Sequence, residues 1–281
     1  MTTLIVASLA GVVFVAVLVA LAWTQQERIA FQPPRPPFPD PGAVRRLDYR
    51  TADGEQLFAY VIGDASSPRG ALLAFHGNAD LAVRQIPWAR EIARRTERVV
   101  ILAEYRGYGG ATGRPTYVGT AHDARAAWQA VRESLEFPPE SIALFGHSLG
   151  SAVATELASD VQAPVLLLQS PFTSARDMAR LVSARPVHVL WNAIARIHFD
   201  TESRVRSLET PVWVAHGTRD FIIPTRMGRA VHQAARSPGE LLLVEDAGHN
   251  DVAVVGGERY WAWIQRALSI TVDTLVPRPS H

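Results

Sequence analysis

The chain contains no cysteine. Disulfides, thiolate catalysis and cysteine-ligated zinc are therefore excluded, although either side of a membrane tolerates a cysteine-free protein. Lysine is absent too: all 28 basic residues are arginine. They are scattered, which reads as a composition bias and not as a phosphate-binding device. Net charge is only +1, so there is no electrostatic footprint for nucleic acid. No internal repeat and no second globular domain is evident. What the sequence does have is apolar material, 48% of 281 residues, enough for one sizeable core and an appendage.

The appendage comes first. Leu4 to Trp23 carries no charge, and only Ser8 and Gly11 in it are not apolar. As a helix at about 1.5 Å per residue it spans about 30 Å, the thickness of the bilayer hydrocarbon. Trp23 stands where an interfacial aromatic belongs. Ala20-Leu21-Ala22 resembles a signal-peptide cleavage site, but no basic region precedes the run and it is longer than a signal core. The expectation is an uncleaved single-pass anchor over residues 1–25. Arg28, Arg35, Arg45 and Arg46 follow it, which leans toward a cytoplasmic catalytic domain. A Pro-rich linker over 26–44 comes next. Its core, Gln32 to Gly42, holds six prolines and is expected to form a stiff polyproline II spacer of about 30 Å.

The remainder, residues 45–272 with a tail at 273–281, reads as one α/β domain. Arg46–Arg50 and Leu57–Ile62 flank Ala52-Asp53-Gly54 as a hairpin. Continuous apolar strands follow at Ala71–Phe75, Val99–Ala103, Ile142–Phe145, Val165–Leu168, Val212–Ala215 and Leu241–Val244. Amphipathic helices separate most of them. Buried strands alternating with helices predict a mostly parallel eight-stranded sheet covered on both faces.

Ligands of such sheets sit beyond the C-terminal strand ends, and four polar clusters occupy those ends: His76-Gly77-Asn78-Ala79, Gly146-His147-Ser148-Leu149-Gly150, His216 to Asp220, and Gly248 to Asp251. The second is Gly-x-Ser-x-Gly between a strand and a small-residue helix, the setting of a nucleophile elbow. Ser148 is the candidate nucleophile. His249, in the loop after the last strand, is the candidate base. His147 is expected to point elsewhere, and His216 to fix the turn that carries the acid. Asp220 is the candidate acid by position, with Asp177 as the alternative; Asp251 is too close to His249 to orient it from behind. The order Ser…Asp…His is that of an α/β-hydrolase triad. An acyl-transfer intermediate also needs two N–H donors for its oxyanion, and Leu149 and Asn78 are the candidates.

The segments FHGNA at 75–79, EYRGYGGATGRP at 104–115, GHSLGSAVA at 146–154, SPFTS at 170–174, HGTRDFIIP at 216–224 and GHND at 248–251 occur in order. Together they resemble the membrane-anchored serine hydrolases of the α/β-hydrolase superfamily, near the serine aminopeptidase and monoglyceride-lipase-like branch. The resemblance covers about residues 45–270. It implies Ser148, Asp220 and His249 as triad and Asn78 and Leu149 as oxyanion donors; the acyl-enzyme mechanism of such a triad needs no metal or organic cofactor. It leaves the substrate open among esters, thioesters and lysophospholipids. Ser151 stands where such proteins often have a third glycine. Tyr105 to Gly109 is expected to buttress the site. The stretch 172–208 is expected either as a short helical cap supplying an acyl pocket or as an ordinary helix pair covering the sheet.

The function expected is hydrolysis of a small acyl ester or lipid substrate by a membrane-tethered enzyme with no obligate protein partner. Two alternatives stand beside it. One is a peptidase using Asp177, Asp200 or Glu202 to hold a substrate amine. The other is an inactive binding protein on the same fold.

Overall fold

The computed structural model describes residues 16–17, 19–21, 23–64, 69–182 and 194–273. Eight strands form one sheet: β1 (Arg45–Arg50), β2 (Gln56–Ile62), β3 (Ala71–Phe75), β4 (Val99–Ala103), β5 (Ile142–His147), β6 (Leu166–Gln169), β7 (Val212–Gly217) and β8 (Pro238–Val244). Their spatial order is β1-β2-β4-β3-β5-β6-β7-β8. β2 runs antiparallel to both β1 and β4, and every other pair is parallel.

Among the described residues, the helices that follow β1 are α1 (Ile86–Thr96), α2 (Tyr117–Ser134), α3 (Leu149–Ala158), α4 (Ala175–Val182), α5 (Thr201–Val205), α6 (Thr225–Ala234) and α7 (Val252–Asp273). α1 packs with α7; α2, α3, α5 and α6 touch in succession. These two layers explain the unalternating strands. With helices on both faces, every residue of β3, β4 and β6 is buried, and an apolar side chain is favoured at each position except the end of β6, where Gln169 accepts from Tyr260 Oη at 2.7 Å.

The parallel strands all end at one edge of the sheet. The reversal of neighbours between β3 and β5 puts Ser148 near the middle of that edge, with the loops after β3, β6, β7 and β8 around it.

The segment before β1 lies against the domain instead of standing off as a spacer. Residues 23–30 are helical. Gln26 is fully buried and its amide is clasped between two backbone groups, donating to Ile194 O (2.9 Å) and accepting from Arg196 N (2.7 Å). Phe31 is buried edge-on against Phe199. Farther along the Pro-rich run, Phe38 packs on the core beside Gly110. Apolar burial and a satisfied amide therefore hold down a stretch whose proline content alone would favour an extended, solvated rod.

Among the described residues no helix is long and apolar enough to cross a membrane. Most of the expected anchor, Leu4 to Trp23, lies outside the described residues, as do the middle of the expected cap (183–193) and most of the tail (274–281).

Candidate active site

The turn from β5 into α3 sets the geometry of Ser148. Its backbone has φ 54° and ψ −117°, a conformation that side chains rarely tolerate and that stores strain. The two flanking glycines make the turn possible. A Cβ on Gly146 would lie 2.1 Å from Gly150 O, and one on Gly150 would lie 2.1 Å from Phe75 O. Neither position admits a side chain, because elbow and β3 are in backbone contact.

Ser148 Oγ is 2.9 Å from His249 Nε2, and His249 Nδ1 is 2.7 Å from Asp220 Oδ2. A carboxylate can only accept, so the proton of the neutral ring sits on Nδ1. Nε2 is left to accept from the serine hydroxyl, and the arrangement can relieve Ser148 of its proton. The Asp220 side chain is fully buried. Burial pushes its carboxyl up, but hydrogen bonds from His216, His249 and the Ile223 N–H outweigh that and hold it well below the usual carboxylate range. His216 fixes the acid turn as expected, with Nε2 2.9 Å from Ile223 O and 3.2 Å from Asp220 Oδ2.

The alternative acids are engaged elsewhere. Asp177 binds Thr173, Ser174 and Arg180. Asp251 accepts from Gly248 N at 2.6 Å and so shapes the loop that presents His249.

His147 does not point elsewhere. Its ring lies 5.0 Å from that of His249, and its Nε2 is 3.1 Å from His249 O. The acceptor is a carbonyl, so Nε2 carries the proton. Ser170 Oγ donates to the same carbonyl at 3.4 Å. Together they pin the backbone of His249, a role that the sequence reading assigned to neither residue. Ser170 directly follows the end of β6, and that place at a strand end is the signal that marks it in the sequence.

Packing strips water from His147, and the nearby His249 adds to the effect; its pKa is pushed down to about 3. The folded protein thus refuses a proton that the unfolded chain accepts near pH 6.5. Stability is expected to fall as pH drops from about 6.5 toward about 3, with a limiting slope of about 1.4 kcal/mol per pH unit from this group. Urea midpoints at pH 7 and pH 5 should decline less in His147→Gln than in the parent.

The loop after β3 lies against the elbow: a Cβ on Gly77 would be 3.4 Å from Ser148 Cβ. Leu149 is the first residue of α3, so its N–H has no partner within the helix. The N–H of Asn78, next to Gly77, donates to no described residue. The Asn78 side chain faces the N-terminal segment, accepting from Gln32 N (2.9 Å) and Tyr108 Oη (2.8 Å) and donating to Ala30 O (2.7 Å).

His76 supports this loop from below, with Nε2 2.7 Å from Glu104 Oε1 and Nδ1 2.8 Å from Gly77 O. Both neighbours are acceptors, so the ring carries two protons. Burial opposes that charge, but the Glu104 carboxylate outweighs it and the pKa is raised. Tyr105 Oη donates to His76 O, and Arg106 bridges Asp53 and Asp123. The stretch from Tyr105 to Gly109 is buttress, as its sequence suggested.

A cavity of about 370 Å³ lined by Arg69, Arg95 and Arg98 is separate from this site. Arg98 there donates to Ser141 O and Leu268 O, bracing the far edge of the sheet. Among the described residues no group of three or more His, Asp or Glu could hold a metal ion.

Comparison with known proteins adds relatives to this geometry. The model of the serine aminopeptidase S33 family matches residues 66–195. An uncharacterised protein of Mycobacterium tuberculosis is 34% identical over 266 residues, covering 90% of this chain and 91% of that one. Alpha/beta hydrolase domain-containing protein 17B of Homo sapiens is 28% identical, covering 76% of this chain and 72% of its own. Among solved structures, a butyrate-bound esterase of Thermogutta terrifontis aligns with a TM-score of 0.64 at 21% identity, covering 86% of this chain and 98% of that one. The Pyrococcus furiosus esterase Pf2001 also gives 0.64, at 18% identity over 85% and 98%. At such identities the likeness is one of fold.

Proposed function

The chain belongs to the α/β-hydrolases of the serine aminopeptidase S33 family, and we propose that it is a serine hydrolase cleaving carboxylic ester or thioester bonds of acyl or lipid-like substrates. The observation that carries this reading is the unbroken run of hydrogen bonds from Ser148 through His249 to a buried, ionised Asp220. In the reaction, His249 Nε2 takes the Ser148 proton as Oγ attacks the acyl carbonyl. The oxyanion is held by the N–H groups of Leu149 and Asn78. His249 then protonates the leaving alcohol or thiol, and water, deprotonated by the same imidazole, releases the acyl group. No cofactor enters the sequence.

Ester rather than peptide cleavage is favoured by the acids of the 172–208 stretch. A peptidase acting at N-terminal residues wants a free carboxylate for the substrate amine. Asp177 is already bound by Arg180, Asp200 caps α5 through Ser203 N, and Glu202 pairs with Arg206. Esterases among the fold relatives, one with butyrate bound, favour the same side. The apolar run from Leu4 to Trp23 supports a membrane anchor, with the following arginines favouring a cytoplasmic domain.

The test is labelling with a fluorophosphonate, mapped by peptide mass, followed by a panel of p-nitrophenyl esters, acyl thioesters, lysophospholipids and aminoacyl p-nitroanilides. Stoichiometric modification of Ser148 and faster ester than anilide turnover are expected. Folded protein that resists the probe would instead be an inactive binding protein.

A further inference from the structure

Every large apolar side chain exposed among the described residues belongs to an element at the C-terminal edge of the sheet, the edge that carries Ser148. Val17, Leu21, Trp23 and Ile29 lie on the N-terminal helical segment. Val118 opens α2, directly after the loop leaving β4, and Leu181 lies on α4 after β6. Phe221 and Ile222 follow the triad acid, the first of them 93% exposed. Val254 and Val255 lie in the first turn of α7, just beyond His249, the first of them 82% exposed. Among the described residues the opposite edge has none. A random scatter of single exposed apolar residues needs no explanation, but confinement to one rim does.

The chain itself indicates what covers this rim. The 4–23 apolar run ends in the helix that the domain clasps. Gln26 is tied to residues 194 and 196, Glu27 accepts from Tyr117 N, and Ala30 and Gln32 are bound by Asn78. From Trp23 to Phe31 is eight residues, about 12 Å of helix. An anchor in a bilayer therefore brings the membrane to within that distance of the oxyanion loop, on the edge where the apolar rim lies. At the junction, the Arg196 guanidinium sits 4.4 Å above the Trp23 ring, a pairing suited to the headgroup layer, where aromatic rings and cations concentrate.

We propose that the rim formed by Val118, Phe221, Ile222, Val254 and Val255 rests on a lipid bilayer, so that the mouth of the Ser148 site opens onto the membrane. Its substrates are then acyl groups carried at that surface and not dissolved esters. This deepens the hydrolase reading above and rests on it for the chemistry and for the anchor that brings the bilayer to the rim.

Because the sequence is cysteine-free, single labels are clean. Phe221→Cys, Val254→Cys and Glu140→Cys are made in the full chain, the last at the opposite edge. Each is labelled with an environment-sensitive nitrobenzoxadiazole dye and reconstituted in phosphatidylcholine vesicles with and without nitroxide lipids. Labels at 221 and 254 are expected to shift to the blue and be quenched by the nitroxide, and the label at 140 to remain accessible to aqueous iodide. In the second arm, Phe221→Ser with Val254→Ser is expected to lower hydrolysis of a vesicle-borne long-chain ester about tenfold, with soluble p-nitrophenyl butyrate turned over within about twofold of the parent.

Equal iodide access at all three positions would overturn the proposal, as would equal loss on both substrates. So would a dimer in sedimentation that the serine pair dissociates, since the rim would then cover a second copy. If the parent shows no Ser148-dependent turnover of the soluble ester, the chemical reading fails, while the fluorescence still reports which face meets the lipid.

Discussion

Ser148→Ala is expected to lower kcat for a p-nitrophenyl ester by about 10⁶-fold, the cost of removing the nucleophile from a triad that acts as a unit. Fluorophosphonate labelling should vanish with it. The same position allows a second measurement, because the Ser148 backbone is held at φ 54° and ψ −117°. Strain of this kind costs about 1–3 kcal/mol. Glycine tolerates the conformation but loses about 0.5–1 kcal/mol through the flexibility of its unfolded chain. The balance leaves Ser148→Gly about 1 kcal/mol more stable, a rise of about 2–4 °C in Tm for a domain of this size. An inactive variant that melts higher than the parent identifies the elbow as a place where stability has been given up for geometry. Ester turnover by Ser148→Ala within about tenfold of the parent would remove the serine from the mechanism.

The fold was legible because its determinants are local. A strand buried on both faces needs an apolar residue at every position, and β3 and β4 were bounded to the residue from that alone. The meeting of Ser148, Asp220 and His249 was legible for a related reason. Parallel strands deliver their C-terminal ends to one edge, so residues that follow successive strands must meet there. The rule says which residues share an edge and is silent on which of them touch. It favoured Asp220 by position and left Asp177 as the alternative, since both follow strands; in the structure only Asp220 reaches His249, and Asp177 binds Thr173, Ser174 and Arg180.

What stayed hidden depends on contacts between segments far apart in the chain. Gln26 meets Ile194, and Asn78 meets Gln32, across intervals with no periodicity to mark them. A run rich in proline reads as a free rod unless the surface that receives Phe31 and Phe38 is known. Nothing in the sequence around His147 marks its contact, because the Gly-x-Ser-x-Gly motif it belongs to singles out Ser148. Its neighbour in space, the His249 carbonyl, lies 102 residues away. The rim was hidden too, because an exposed Phe221 and a buried Phe199 are the same letter; only the folded surface separates them.

Asp220→Asn tests the orientation of the base. In the parent, Oδ2 accepts from His249 Nδ1, while Oδ1 accepts from Ile222 N at 2.9 Å and Ile223 N at 2.8 Å. An amide has one acceptor oxygen. The two backbone N–H groups claim it, and the NH₂ is turned toward His249. Two donors cannot face each other, so the imidazole must move its proton to Nε2 and present a bare Nδ1 to the amide. Nε2 is then a donor and cannot take the proton of Ser148. The shape of the site is kept and the tautomer is wrong, a change worth about 10⁴-fold in kcat. The serine persists, so slow labelling by the fluorophosphonate should fall in parallel with turnover and not vanish. Asp177→Asn, by contrast, breaks only the contacts to Thr173, Ser174 and Arg180 and should leave kcat within about threefold, the range expected away from the reacting groups. If the two variants exchanged these outcomes, the carboxylate that orients His249 would be the one after β6 and not the one after β7.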